Sequence, residues 1–176
     1  RDRDVEAIAS AINAKTRAIL IGYPNNPTGA VASRETLIEI GKLAQQHDLV
    51  VISDEIYDQL VYGVEHVCFP ALPEMHERTI LLGGFSKDYA MTGWRVGFAA
   101  APKEILQGLL RIHQYTVMCA PTTSQMAALK ALQVGAPFVA EMQAEYDRRR
   151  CLIVDAFNEF GPVSYTHLTL PTNREV

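Results

Sequence analysis

The sequence predicts an α/β fold, and three observations predict it. Ala18-Ile-Leu-Ile-Gly-Tyr23 is a short apolar run that ends in Pro24-Asn-Asn-Pro-Thr-Gly29, a concentrated turn signal. Leu49-Val-Val-Ile-Ser53 is a β-branched run of the kind found in strands buried on both faces. Between them Leu37, Ile40, Leu43 and Ala44 recur at helical spacing. Strand, helix and strand together occupy roughly thirty residues, the size of one βαβ unit.

The remaining elements follow in order. Ser33 is placed to cap a helix running from about Arg34 to Gln46. Thr79 to Gly83 and Arg95 to Ala100 read as two further strands. After Pro102 the character turns helical, first over Glu104 to Gln114. Thr122-x-x-Gln125 then has the form of a capping box opening a helix that carries Met126, Leu129 and Leu132. From Pro137, the residues Phe138, Met142, Tyr146, Ile153, Phe157 and Phe160 keep roughly helical spacing up to Gly161. The last stretch, Val163 to Val176, is polar and rich in Thr and follows none of these patterns.

Composition narrows the partners. The 176 residues are 48% hydrophobic and 20% charged, with a net charge of −4. That balance argues against nucleic acid and against an anionic membrane, both of which reward concentrated Lys and Arg. Arg148-Arg-Arg150 is a single basic triplet and reads as a solvated helix face. No apolar run reaches the ~18 residues of a membrane helix. Three widely spaced cysteines, Cys68, Cys119 and Cys151, suit a reducing, cytoplasmic setting better than a disulfide framework. His66 and Cys68 lie two apart, but a pair without further ligands makes no zinc site.

In open parallel sheets, ligands bind beyond the carboxyl ends of the strands. Three clusters fall there: Asn25 to Gly29, Asp54 to Tyr57, and Phe85 to Lys87. Singly, each has an ordinary explanation as a turn, a helix cap or a solvated lysine. Together they carry a resemblance. Pro24-Asn-Asn-Pro-Thr-Gly29, Ser53-Asp-Glu-Ile-Tyr-Asp58 and Gly84-Phe-Ser-Lys-Asp-Tyr-Ala-Met-Thr-Gly-Trp-Arg-Val-Gly97 resemble the signature segments of class I/II aminotransferases. These are fold-type I enzymes that use pyridoxal 5'-phosphate, and the resemblance runs from about Asp4 to Gly161.

The resemblance implies a fold and a set of roles. The fold is part of the mixed, mostly parallel sheet of the large cofactor-binding domain. Residues 1–136 would be the C-terminal half of that domain, and 137–162 a long helix leading into a truncated small domain. Residues 163–176 would be a non-native or unstructured tail. Lys87 matches the lysine that holds the cofactor's aldehyde as a Schiff base and, once displaced, shuttles the substrate's α-proton. Asp54 matches the carboxylate that keeps the ring nitrogen protonated. Asn26 and Tyr57 match the two donors to the ring hydroxylate, and Arg95 matches the bidentate partner of the phosphate. Three residues before Lys87 many relatives carry a Ser or Thr whose hydroxyl contacts the phosphate. Gly84 stands there instead and offers only a backbone N–H. Met91 and Trp94 read as packing residues.

Class I/II aminotransferases are well over twice as long as this chain, so it reads as a central piece carrying the cofactor side of the site and not the substrate side. The expected activity of the full-length protein is amino-group transfer between an amino acid and a 2-oxo acid, in a homodimer. Two alternatives share the fold. One is a carbon–sulfur lyase using the same lysine, aspartate and arginine; the other is the aminotransferase-like effector domain of a transcription regulator. The isolated piece is expected to be inactive.

Overall fold

The computed structural model describes residues 2–160. It contains four strands: β1 (Ala18–Gly22), β2 (Val50–Asp54), β3 (Thr79–Gly84) and β4 (Gly97–Ala100). They form one sheet in the order β1-β2-β3-β4. The first three are parallel, with Ala18 opposite Val50 and Val51 opposite Thr79. β4 runs antiparallel to β3, pairing Gly97 with Gly84 and Ala100 with Leu81. Five helices accompany the sheet: α1 (Asp2–Ala11), α2 (Arg34–Gln46), α3 (Lys103–Thr116), α4 (Thr122–Val134) and α5 (Ala136–Glu159). This is the α/β class with a mostly parallel open sheet, as the sequence predicts.

The β1–α2–β2 unit forms for the reasons its sequence gives. Ser33 is extended, and its hydroxyl accepts the Thr36 N–H at 3.2 Å, satisfying one of the donors left free at a helix start. Leu37, Ile40 and Ala44 of α2 then pack on Ile19 and Val51 of the sheet. Phe69, Leu72 and Met75, from the connection between β2 and β3, complete that core. A second cluster joins Phe85, Met91 and Val96 to Ala128 of α4.

Three expectations need correction. β2 is not buried on both faces: Val51 and Ser53 are buried, while Val50, Ile52 and Asp54 are only partly so. The reason is one-sided covering. α2 and the 69–75 connection pack against the face that carries Ile19 and Val51, and Leu20, on the opposite face, is 70% exposed. Thr122-x-x-Gln125 is not a capping box. Pro121 is the cap residue and has no N–H for a glutamine to bind, so the Gln125 side chain donates to the Ala120 carbonyl at 2.7 Å. Arg95 is not in a strand, since β4 begins only at Gly97.

One element has no counterpart in the sequence reading. α1 is short, and its apolar positions are few, but Ile8 and the following Ile12 pack against the main core. The arginine triplet lies on α5, where Arg148 and Arg149 both pair with Glu145 at 2.7 Å and Arg150 pairs with Asp147 at 2.6 Å. Among the described residues no helix is long and apolar enough to cross a membrane. The tail expected over 163–176 lies outside the described residues.

Candidate active site

Parallel pairing puts the carboxyl ends of β1, β2 and β3 on one edge, and the antiparallel β4 starts from that same edge. The three clusters and Arg95 therefore lie at the same end of the sheet although up to about seventy residues separate them in sequence, as crossover connections in a parallel sheet require. Asp54 is the last residue of β2 and half-buried. Its Oδ1 accepts the Ile56 N–H at 3.2 Å, which fixes the carboxylate's rotamer, and its carbonyl accepts the Tyr23 N–H at 3.1 Å. Asn26, exposed in the turn after β1, donates from Nδ2 to the Tyr57 hydroxyl at 3.4 Å. The Lys87 Nζ stands 5.6 Å from the centre of the Tyr57 ring. Asn26, Tyr57 and Lys87 thus form one continuous group, with Asp54 three residues before Tyr57.

The loop that carries Lys87 is held at several points. The Ala90 N–H donates to the Lys87 carbonyl at 3.1 Å, and the Met91 N–H to Phe85 at 3.0 Å. Thr92 Oγ1 donates to the Ser86 carbonyl at 2.8 Å. Phe85 and Met91 are buried on either side, so the half-buried lysine projects from a turn with fixed ends. Met91 packs as expected. Trp94 does not: it is 47% exposed, beside a cavity of about 440 Å³ between this loop and α4 and α5.

Arg95 sits on the turn between this loop and β4, with φ 51° and ψ 49°. A residue with a Cβ in the left-handed region carries roughly 1–3 kcal/mol of strain, a feature that clusters at functional sites. Its guanidinium is exposed and gives one N–H to the Thr92 carbonyl at 3.0 Å. The glycines beside it explain Gly84. A Cβ at Gly84 would lie 2.9 Å from the Ile56 Cδ1 and 3.2 Å from the Gly97 Cα, and one at Gly83 would lie 2.5 Å from the Phe98 ring. A side chain at 84 would require the end of Ile56 to turn away and the Gly97 backbone to give by a few tenths of an ångström.

Two buried acids flank these residues, and neither was singled out from the sequence. Asp88, next to Lys87, is 3% exposed, and its Oδ1 has no hydrogen-bond partner. Burial, reinforced by the neighbouring Asp58 carboxylate, pushes Asp88 up to about 8. Between about pH 4 and 8 the unfolded chain releases this proton and the folded chain keeps it, so stability should fall as pH rises through that window. Asp88→Asn, which keeps the shape of the protonated acid, should flatten this slope and raise the thermal midpoint at pH 8 more than at pH 5. Equal midpoint changes at both pH values would show that Asp88 is ionised in the folded protein.

The second acid is Glu55, which follows Asp54 and is 4% exposed. Burial alone would raise its carboxyl, but hydrogen bonds from His66, the Phe69 N–H and Ser53 outweigh that and hold it below the ordinary range. Cys68, beside it, is pushed up to about 11 by burial and by the Glu55 charge, so its thiol stays protonated. The sequence pair His66 and Cys68 is thus organised around Glu55. A lone glutamate in a polar segment gives no signal of such a role.

Comparison with known proteins gives these positions a family. The model of the class I and II aminotransferases matches residues 2–173. A putative aminotransferase, YugH, of Bacillus subtilis is 51% identical over 86% of this chain and 39% of its own length. Aromatic-amino-acid aminotransferase 2 of Thermococcus litoralis is 45% identical over 89% of this chain and 41% of its own. The crystal structure of an aromatic aminotransferase from Pyrococcus horikoshii superposes with a TM-score of 0.85 at 42% identity, covering 92% of this chain and 45% of that one. The chain spans about two fifths of the length of the curated relatives it matches. On sequence and on structure alike, the chain belongs to the class I and II aminotransferases, with the fold-type I architecture.

Proposed function

We propose that the full-length protein carrying this chain is a pyridoxal 5'-phosphate-dependent aminotransferase that moves an amino group between an amino acid and a 2-oxo acid. The observation that carries the reading is the convergence of Lys87, Tyr57, Asn26, Asp54 and Arg95 on one sheet edge of an aminotransferase fold. The donor set fits the cofactor group for group. When bound, pyridoxal phosphate supplies an electron sink for the pair left at the substrate's α-carbon.

This chain's residues do the rest. Asp54 would hold a proton at the ring nitrogen: Oδ1 is occupied by the Ile56 N–H, and Oδ2 takes no hydrogen bond from the described residues. Tyr57 and Asn26, already within 3.4 Å of each other, present a hydroxyl and an amide to the ring oxygen. Arg95 spends one N–H on Thr92 and keeps the remainder of its fork for the phosphate, a planar, charge-assisted contact that a lysine does not reproduce. Lys87 would hold the cofactor's aldehyde, and its amine, when free, would take and return the substrate's α-proton.

Relatives named as aminotransferases support transamination over lyase chemistry and over a regulator's effector domain. In this reading the protein is a homodimer, α5 leads into a second domain, and this segment alone turns nothing over. The test is chemical. The full-length protein, loaded with pyridoxal phosphate, is reduced with borohydride, digested and mapped, then assayed unreduced against a panel of amino acids and 2-oxo acids. The label is expected on Lys87, with turnover on at least one amino donor. A label on another lysine, or release of sulfide or pyruvate in place of amino transfer, would refute it.

A further inference from the structure

Successive residues on a strand point to opposite faces, so Ser53 faces away from Asp54, and Glu55, the first residue past β2, meets the Ser53 hydroxyl on that side. There, four donors converge on its carboxylate. Oε1 receives the Ser53 hydroxyl at 2.7 Å, the Phe69 N–H at 3.0 Å and the Tyr23 hydroxyl at 3.3 Å; Oε2 meets His66 Nε2 at 2.6 Å. The ionised carboxylate only accepts, so Nε2 of His66 carries a proton. The Nδ1 atom of His66 is buried and has no hydrogen-bond partner. The His66 ring stacks on Tyr23 with centroids 5.2 Å apart, and the Tyr23 hydroxyl also reaches the Val67 carbonyl at 2.9 Å.

A buried carboxylate is costly to desolvate, and an apolar residue of similar volume would pack the same space at less cost. Geometry is what such a network secures: every oxygen of Glu55 is paired, and only the Nδ1 atom of His66 is left over. Here it grips Tyr23 at both ends. The Tyr23 N–H donates to the Asp54 carbonyl at 3.1 Å, while its ring and hydroxyl are held by His66, Val67 and Glu55. The Glu55 N–H, in turn, donates to the Leu82 carbonyl at 3.0 Å and ties the end of β2 to β3. The peptide unit that carries Asp54 is therefore clamped from both neighbouring strands, and the clamp's centre is the Glu55–His66 pair.

We infer that Glu55, locked by His66, is a positioning residue that sets the Asp54 carboxylate against the cofactor's ring nitrogen. The inference rests on the cofactor reading above. It differs from a general structural role in one respect: its effect passes through the ring nitrogen. Glu55→Gln keeps the shape but offers an amide N–H to His66. The imidazole must then accept at Nε2 and carry its proton at the buried Nδ1, so the clamp loosens. Asp54 moves, and only a ligand with a ring nitrogen feels it.

The experiment measures the dissociation constants of two cofactors from the full-length protein, pyridoxal phosphate and its 1-deaza analogue, in which carbon replaces the ring nitrogen. In Glu55→Gln, affinity for pyridoxal phosphate is expected to fall about 10-fold and affinity for the analogue by less than about 2-fold, the difference being a coupling between two sites. Tyr23→Phe, which removes one hydroxyl and leaves the ring, should give a smaller difference of the same sign. It decides the matter should Glu55→Gln fail to fold. Nitrogen-15 spectra of the cofactor-free protein should show the His66 proton on Nε2 in the natural sequence and on Nδ1 in Glu55→Gln. Equal losses for the two cofactors, or no loss for either, would overturn the inference while leaving the cofactor reading intact. Failure of the natural protein to bind pyridoxal phosphate at Lys87 would instead sink the reading itself.

Discussion

Lys87→Ala is expected to reduce turnover of the full-length protein by at least about 10⁴-fold, the upper end for loss of one positioned proton-transfer group. The variant loses more than that one contribution, because in the proposed function the same amine also forms the covalent link to the cofactor. Cofactor retention should suffer much less. Asp54, Asn26, Tyr57 and Arg95 remain, and the loop around residue 87 keeps its shape through the Met91–Phe85 and Thr92–Ser86 hydrogen bonds, none of which involves the lysine side chain. Steady-state rates and equilibrium dialysis of the cofactor measure the two effects separately. Turnover within 100-fold of the natural protein would mean that another group moves the α-proton and that Lys87 is not the residue the loop exists to present.

Asp54→Asn should have the next largest effect, and of a different kind. The substitution keeps volume and keeps the acceptor for the Ile56 N–H but removes the negative charge. An opposite charge at this range shifts a proton equilibrium by about 1–3 units, each worth about 1.4 kcal/mol. The maximal rate should therefore fall roughly 10- to 1,000-fold. Binding of the cofactor should weaken less, since the phosphate and ring-oxygen contacts are untouched. A rate near that of the natural protein would place the ring nitrogen against some other group.

The sequence made the edge legible because the physics that builds it is local. β-Branched runs, a capped amphipathic helix and turn residues fix where β1, β2 and β3 end, and topology does the rest, bringing Asn26, Tyr57 and Lys87 together. Three features were not legible, two of them because they depend on partners far along the chain. The one-sided burial of β2 depends on which faces α2 and the 69–75 connection cover, which no strand carries in its own pattern. The left-handed backbone at Arg95 is imposed by the turn from Thr92 to Trp94 and the start of β4, and a non-glycine residue gives no warning of it. The Glu55 network draws on Tyr23, Ser53, His66 and Phe69, from three separate segments. The capping box fails for a local reason: Pro121 stands beside the motif and cannot supply the N–H it needs.

The close approach of β3 and β4 has a consequence for how this region would look to a genetic screen. A methyl group at Gly83, Gly84 or Gly97 would press on the Phe98 ring, the Ile56 side chain or the Gly83 carbonyl. In the proposed function Lys87 and Asp54 would fail to tolerate change because chemistry needs their functional groups; the three glycines would resist it because neighbouring groups must shift to admit a side chain. A map of tolerated substitutions would draw both sets as one continuous band. Telling reactivity from crowding within it requires a second axis, abundance of the folded protein, on which the glycine variants drop out and the lysine and aspartate variants stay.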